Sequence, residues 1–178
     1  MTSDAGTPQG GIVSPLLSNL YLHEALDDWF AKDVQPRMKG AAQMVRFADD
    51  AVLCFQREED ARRVLKVLGK RMAKYGLKLH PEKTKLVNFR PPDWGQGKGQ
   101  GSFNFLGFCF YWTRSRKGRA VVKLKTARDR FTRTVKELGE WLRGNMHQPI
   151  AEQHSQLCAK LQGHFQYFGV TFNFKALM

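Results

Sequence analysis

The stretch QMVRFADDAVLCFQ, residues 43–56, constrains the chain most. Two short β-prone runs, Met44 to Ala48 and Ala51 to Phe55, are separated only by Asp49 and Asp50. Runs this short with almost nothing between them predict an antiparallel hairpin that carries both carboxylates at its tip. Two adjacent carboxylates repel each other unless solvent or a cation relieves them. Solvated turn chemistry is the common outcome for an Asp-Asp pair. The alternative is a hard divalent cation such as Mg²⁺, which takes oxygen ligands and keeps positions open for phosphate oxygens. Apolar residues on both sides favour the second reading, because they would bury the hairpin and aim its tip into a cleft.

The rest of the chain alternates between helical and strand patterns. Ser14 and Pro15 read as an N-cap and a first helical position, followed by Leu16, Leu17, Leu20, Tyr21, Ala25, Leu26, Trp29 and Phe30 at helical spacing, ending near Lys32. After the hairpin, EEDARRVLKVLGKRMAKYGLKL places acids in a first turn, Ala61, Val64, Leu65, Leu68, Met72 and Tyr75 on one face, and Gly76 as a C-terminal stop. Leu77 to Leu79 and Leu86 to Phe89 are expected as short strands around His80-Pro81-Glu82-Lys83. Pro91 to Ser102, rich in Gly, Pro and Gln, reads as a loop. Phe103 to Trp112 and Ala120 to Leu124 suggest a second hairpin turned by TRSRKG. Thr126 is expected to cap a helix that buries Phe131, Val135, Leu138 and Leu142, and Pro149 to open a last helix bearing Ile150, Leu157, Leu161, Phe165 and Phe168. Neither strict βαβ alternation nor an all-β pattern results, so the expected class is α+β.

Charge narrows the partners. The chain has 178 residues and a net charge of +13, which favours a polyanion, nucleic acid before acidic membrane. Arg114 to Arg143 holds 11 basic and 3 acidic residues, while Met1 to Asp60 holds 5 basic and 10 acidic ones. One part suits phosphates and the other cations. Cys54, Cys109 and Cys158 have neither disulfide-framework nor zinc-ligand spacing and read as reduced, mostly buried thiols of a cytoplasmic protein. No apolar run approaches 18 residues and no secretory N-terminus is present, so a membrane partner is not expected.

Several motifs stand in a fixed order: Gly6-Thr7-Pro8-Gln9-Gly10-Gly11 with Ser14-Pro15-Leu16-Leu17-Ser18-Asn19, then Phe47-Ala48-Asp49-Asp50, then Leu79-His80-Pro81-Glu82-Lys83-Thr84-Lys85, then Phe105-Leu106-Gly107-Phe108. Together they closely resemble the motifs of bacterial reverse transcriptases encoded by group II introns, mobile elements whose proteins also act as maturases. The resemblance spans roughly residues 4–112. Leu161 to Gly169 is similar to a segment of the same family's thumb.

The resemblance implies a partial polymerase palm with a primer-grip hairpin over residues 1–112 and a basic, helical, thumb-like segment over residues 113–178. It implies that Asp49 binds catalytic Mg²⁺ with Asp50 assisting, and that Pro8, Gln9, Gly10, Gly11 and Phe47 face the nucleotide and template. Phe47 stands where the family usually has tyrosine. Lys83 would clamp the triphosphate or protonate pyrophosphate; its plainer reading is an exposed lysine. Phe105, Leu106 and Gly107 would hold the primer, with aromatic core packing the alternative for the phenylalanines. Arg114, Arg116, Lys117, Arg119, Lys123, Lys125, Arg128, Arg130 and Arg133 would meet a phosphate backbone, or else form a solvated helix face.

The implied activity is RNA-directed DNA polymerisation, with RNA template, DNA primer and deoxynucleoside triphosphates as partners. The rival is an RNA-binding maturase, a splicing cofactor on intron RNA without polymerase activity. In the family the first metal-binding aspartate lies well upstream of the glycine-rich turn, yet only five residues precede Gly6, and Asp4 is too close to it. The expectation is therefore a partial palm, inactive alone, partnered by a separate fingers and palm piece or by a second copy covering its apolar surface.

Overall fold

In the computed structural model, which describes residues 13–93 and 101–177, helices and antiparallel strands are gathered in two units, Met1–Leu86 and Val87–Met178. Among the described residues no helix is long and apolar enough to cross a membrane.

In the first unit, α1 (Ser14–Leu22) has Pro15 in its first turn and continues through wider π-type turns, His23–Asp28 and Phe30–Val34, into a closing 3₁₀ turn, Gln35–Arg37. The helical path thus runs past the expected end at Lys32. Leu26, Phe30 and Val34 are buried in steps of four residues, which keeps them on one face, with Ala25 buried beside Leu26. Leu16 and Leu20, at the other end, are 70% and 68% exposed.

Strands β1 (Ala42–Phe47) and β2 (Asp50–Phe55) pair antiparallel from Ala42↔Phe55 to Phe47↔Asp50, leaving a two-residue turn, Ala48-Asp49. Period-two alternation sends Ala42, Met44, Leu53 and Phe55 onto the cluster of Phe30, Val34 and Val64. Gln43, Val45, Phe47, Asp50, Val52 and Cys54 occupy the opposite face, where Val45 and Phe47 are 59% and 65% exposed. The expectation that the flanking apolar residues bury the hairpin is therefore corrected: one face packs and the other is open.

Helix α2 (Glu58–Lys74) buries Ala61, Val64, Leu68 and Met72, with Glu58, Glu59 and Asp60 in its first turn. Leu65, expected on that face, is 39% exposed. Gly76, at φ +67°, ends the helix in a paired turn: Leu77 N–H donates to the Met72 carbonyl and Gly76 N–H to the Ala73 carbonyl, each at 3.0 Å. That turn consumes the predicted strand Leu77–Leu79. Leu77 and Leu79 pack instead against the cluster of Ala25, Leu26, Leu68 and Met72, and no strand forms there. Residues 86–89 form none either.

The second unit is a three-stranded meander, β3 (Phe103–Phe105), β4 (Phe108–Arg114) and β5 (Ala120–Thr126), with α3 (Arg128–Asn145), α4 (Ile150–Phe168) and the short α5 (Phe174–Leu177). The single strand expected over 103–112 is broken by a turn at Leu106 and Gly107, both with positive φ. Phe103 stacks on Phe110 with centroids 5.2 Å apart, and Phe89 meets both Phe103 and Trp112, at 5.0 and 5.4 Å. Phe89 therefore contributes its ring rather than a strand ladder.

Three further expectations are corrected. Thr126 does not cap α3: its backbone N–H donates to Asn173 Oδ1 at 2.7 Å and its hydroxyl accepts from Asn173 Nδ2 at 2.8 Å, both residues being buried. The apolar stripe of α3 is not buried, with Phe131, Val135 and Leu142 43%, 54% and 39% exposed, and α4 likewise buries none of its residues. Nor are the thiols mostly buried, since Cys54 and Cys158 are exposed and Cys109 is half-buried.

Candidate active site

The acidic turn is built by its own hairpin. A two-residue connection matched to strand twist demands positive φ, which Gly or Asn meets easily; here Ala48 takes it, at φ +52°. For a residue with a Cβ this left-handed backbone costs about 1 kcal/mol and persists only where neighbours over-determine it. Arg46, two residues earlier on the buried face of β1, supplies that constraint. Its Nη1 donates to the Ala48 carbonyl at 2.8 Å.

Arg46 is itself held on two sides. Nε and Nη2 donate to Asp27 Oδ1 and Oδ2 at 2.8 and 2.6 Å, a forked pair, while Nη1 also donates to Asn19 Oδ1 at 2.9 Å. Both side chains are largely covered, Arg46 at 13% and Asp27 at 24% exposed. The Arg46 hydrogen bonds hold the Asp27 carboxyl below its ordinary range against the opposing cost of burial, with His23 assisting. Reciprocally, Asp27 raises the affinity of the guanidinium for its proton. Neither Arg46 nor Asp27 stood out in the sequence, and Asn19 did so only as the end of a motif, with no role attached; the one available signal was a lone arginine among the apolar residues of a predicted strand.

Asp49 and Asp50 themselves are exposed. No hydrogen bond or ion pair engages either carboxylate among the described residues, so their oxygens stay available to a ligand. Nor do three or more His, Cys, Asp or Glu side chains converge on one point among those residues. Phe47 lies directly opposite Asp50 on the open face of the sheet. Lys83 is exposed in the turn closed by Thr84 N–H and the His80 carbonyl at 2.9 Å, within the same unit as the acidic pair. Pro8, Gln9, Gly10 and Gly11 lie outside the described residues.

In the second unit, Phe105 and Phe108 pair across the Leu106-Gly107 turn. Leu106 has φ +51°, and its carbonyl accepts from the Tyr167 hydroxyl of α4 at 2.9 Å. Gly107, at φ +77°, has Phe168 at 3.4 Å from where a Cβ would stand, and its carbonyl accepts from Ala127 N–H at 2.9 Å. Asn104, Cys109, Lys125, Arg128, Asp129 and Thr132 line a shallow depression of about 630 Å³ beside this meander. Lys123 and Lys125 lie over the rings of Phe172 and Tyr111, at 5.4 and 5.2 Å. Arg114, Arg116, Lys117, Arg119, Lys125, Arg128, Arg130 and Arg133 are exposed.

Comparison with known proteins adds one finding. The profile of the family described as reverse transcriptase (RNA-dependent DNA polymerase) matches residues 1–110, a span that includes the acidic turn, the lysine turn and the Leu106-Gly107 hairpin. No curated protein matches the chain significantly. Since the matched span is more than half of the 178 residues, the chain belongs to the reverse transcriptase family.

Proposed function

We propose that the chain is the palm and thumb part of an RNA-directed DNA polymerase of group II intron type, in which Asp49 and Asp50 carry catalytic Mg²⁺. The observation that carries the reading is the acidic turn: two exposed carboxylates without protein partners, Asp49 in a strained two-residue connection and Asp50 at the start of the strand that follows it, in a chain of this family. The donor set fits the ion, because carboxylate oxygens are what a hard divalent cation takes. Mg²⁺ held there would neutralise charge on the transferring phosphoryl group and its leaving pyrophosphate.

The remaining roles are assigned to this chain's own side chains. Phe47, beside Asp50 on the open sheet face, supports the sugar or base of the incoming nucleotide. Lys83 supplies positive charge to the triphosphate. The Phe105-Leu106-Gly107 turn supports the primer strand, and Pro8, Gln9, Gly10 and Gly11 the nucleotide and template. The basic residues of β4, β5 and α3 hold the phosphate backbone without reading sequence.

Two-metal transfer draws carboxylates from more than one element, so the active enzyme needs an additional acidic ligand beside this pair. The test is templated extension of a DNA primer on RNA by the chain alone and by the chain mixed with a fingers and palm piece bearing that ligand. Extension is expected only in the mixture and is expected to vanish with Asp49→Ala plus Asp50→Ala, while RNA affinity survives. Processive synthesis by the chain alone, or extension indifferent to the double substitution, would refute the metal assignment. RNA binding and splicing assistance that persist with no extension under any combination would favour the maturase reading.

A further inference from the structure

We propose that Arg46 is a positioning residue for the acidic turn: it fixes the peptide plane that joins Ala48 to Asp49, and so sets where the two carboxylates stand. The inference rests on the reading of Asp49 and Asp50 as metal ligands, but its structural half stands by itself.

The peptide unit is planar, so fixing a carbonyl oxygen fixes the N–H on the next residue. Arg46 Nη1 holds the Ala48 oxygen at 2.8 Å, and the N–H in that same plane belongs to Asp49. Ala48 is at φ +52°, in a region an alanine leaves unless something holds it there. The holder is rigid because it is anchored away from the hairpin: Asp27 takes Nε and Nη2 at 2.8 and 2.6 Å, and Asn19 takes the second Nη1 hydrogen at 2.9 Å. Four of the five guanidinium N–H groups are thereby used, in three directions, by residues on two helical segments and a turn.

That geometry explains why the residue is arginine. An ammonium group offers three donors from a single point and cannot fork onto Asp27 while also reaching Asn19 and Ala48. It also separates two roles. If Arg46 served only to stabilise the unit, the pairing of β1 with β2 and the turn would fail together on substitution. A positioning role predicts that the ladder from Ala42↔Phe55 to Val45↔Val52 remains while the turn relaxes.

The experiment is solution NMR of the whole chain with Arg46→Lys. In the wild type, a strong intraresidue amide-to-Hα NOE at Ala48 reports its positive φ. In Arg46→Lys that signature is expected to disappear while cross-strand NOEs between Val45 and Val52 persist. Broadening of the Asp49 and Asp50 amides by added Mn²⁺ is expected to need roughly 10-fold more metal, the usual loss when a residue that orients metal ligands is changed. If Arg46→Lys does not fold, the exposed Asn19→Ala, which removes one support, is expected to weaken the same two signals partially. An Ala48 NOE unchanged in the folded variant, or changed in step with loss of the Val45–Val52 contacts, would overturn the inference. Absence of Mn²⁺ broadening in the wild type would overturn the metal reading instead, with the Ala48 signature still deciding the positioning role.

Discussion

Tyr167 donates its hydroxyl to the Leu106 carbonyl at 2.9 Å, joining α4 to the β3–β4 turn across 61 residues of sequence. Leu106 sits at φ +51°, so the bond holds a backbone the side chain disfavours. Tyr167→Phe keeps the ring, which stacks near Phe108 at 5.8 Å, and removes only the hydroxyl. A loss of about 0.5–1 kcal/mol is expected, seen as a lower urea midpoint with unchanged slope. An unaltered midpoint would mean that the turn is held without α4.

Asp60 is a buried carboxylate that ties the loop before β1 to α2. It is 1% exposed, and its Oδ2 accepts the N–H groups of Lys39 and Gly40 at 2.9 and 3.1 Å. Asp60→Ala leaves both donors without their acceptor and is expected to cost about 2–4 kcal/mol in denaturant unfolding. Asp60→Asn retains an acceptor oxygen and is expected to cost less.

Acid should loosen the first unit through Asp27. Its folded-state pKa lies below the ordinary 3.8 because Arg46 hydrogen-bonds the ionised carboxyl. The stabilisation is therefore fully present above pH 3.8 and is lost as pH falls through the lower folded value. Arg46 and His23 are the charged or titratable groups facing it, and Arg46 keeps its charge throughout. Asp27→Asn should be less stable at neutral pH and should flatten the acid limb of a stability–pH curve measured with urea; a limb of unchanged steepness would assign the acid sensitivity to other carboxylates.

RNA affinity should be carried by sequence-independent phosphate contacts. Arg128→Glu with Arg130→Glu is expected to weaken binding similarly for unrelated RNAs and to lower the slope of log affinity against log salt by roughly 0.7 per lost contact. Sequence-selective weakening would show that these arginines read bases.

The parts legible in the sequence were those specified by nearest neighbours. The hairpin was legible in its two β-prone runs, although its turn is Ala48-Asp49 rather than the expected Asp49-Asp50 and Asp50 opens β2; α2 stops at Gly76 because only a left-handed residue completes that turn. Leu77 to Leu79 misled because a short apolar run is equally suited to a strand and to covering a helix. The stripes of α1 and α3 show where periodicity predicts an apolar face without supplying a cover: Leu16, Leu20 and Val135 are 70%, 68% and 54% exposed. The link of Arg46 to Asp27 and Asn19 escaped notice because it joins positions 19 and 27 residues apart, with no local pattern to announce it.

Metal titration of the acidic turn tests the central claim most directly. Amide resonances of the wild-type chain should broaden with Mn²⁺ first at Asp49 and Asp50, the broadening should be reversed by excess Mg²⁺, and it should be lost from the turn in Asp49→Asn plus Asp50→Asn. Broadening that begins at other carboxylates, or that survives the double substitution at residues 48–50, would contradict the assignment of this turn as the magnesium site.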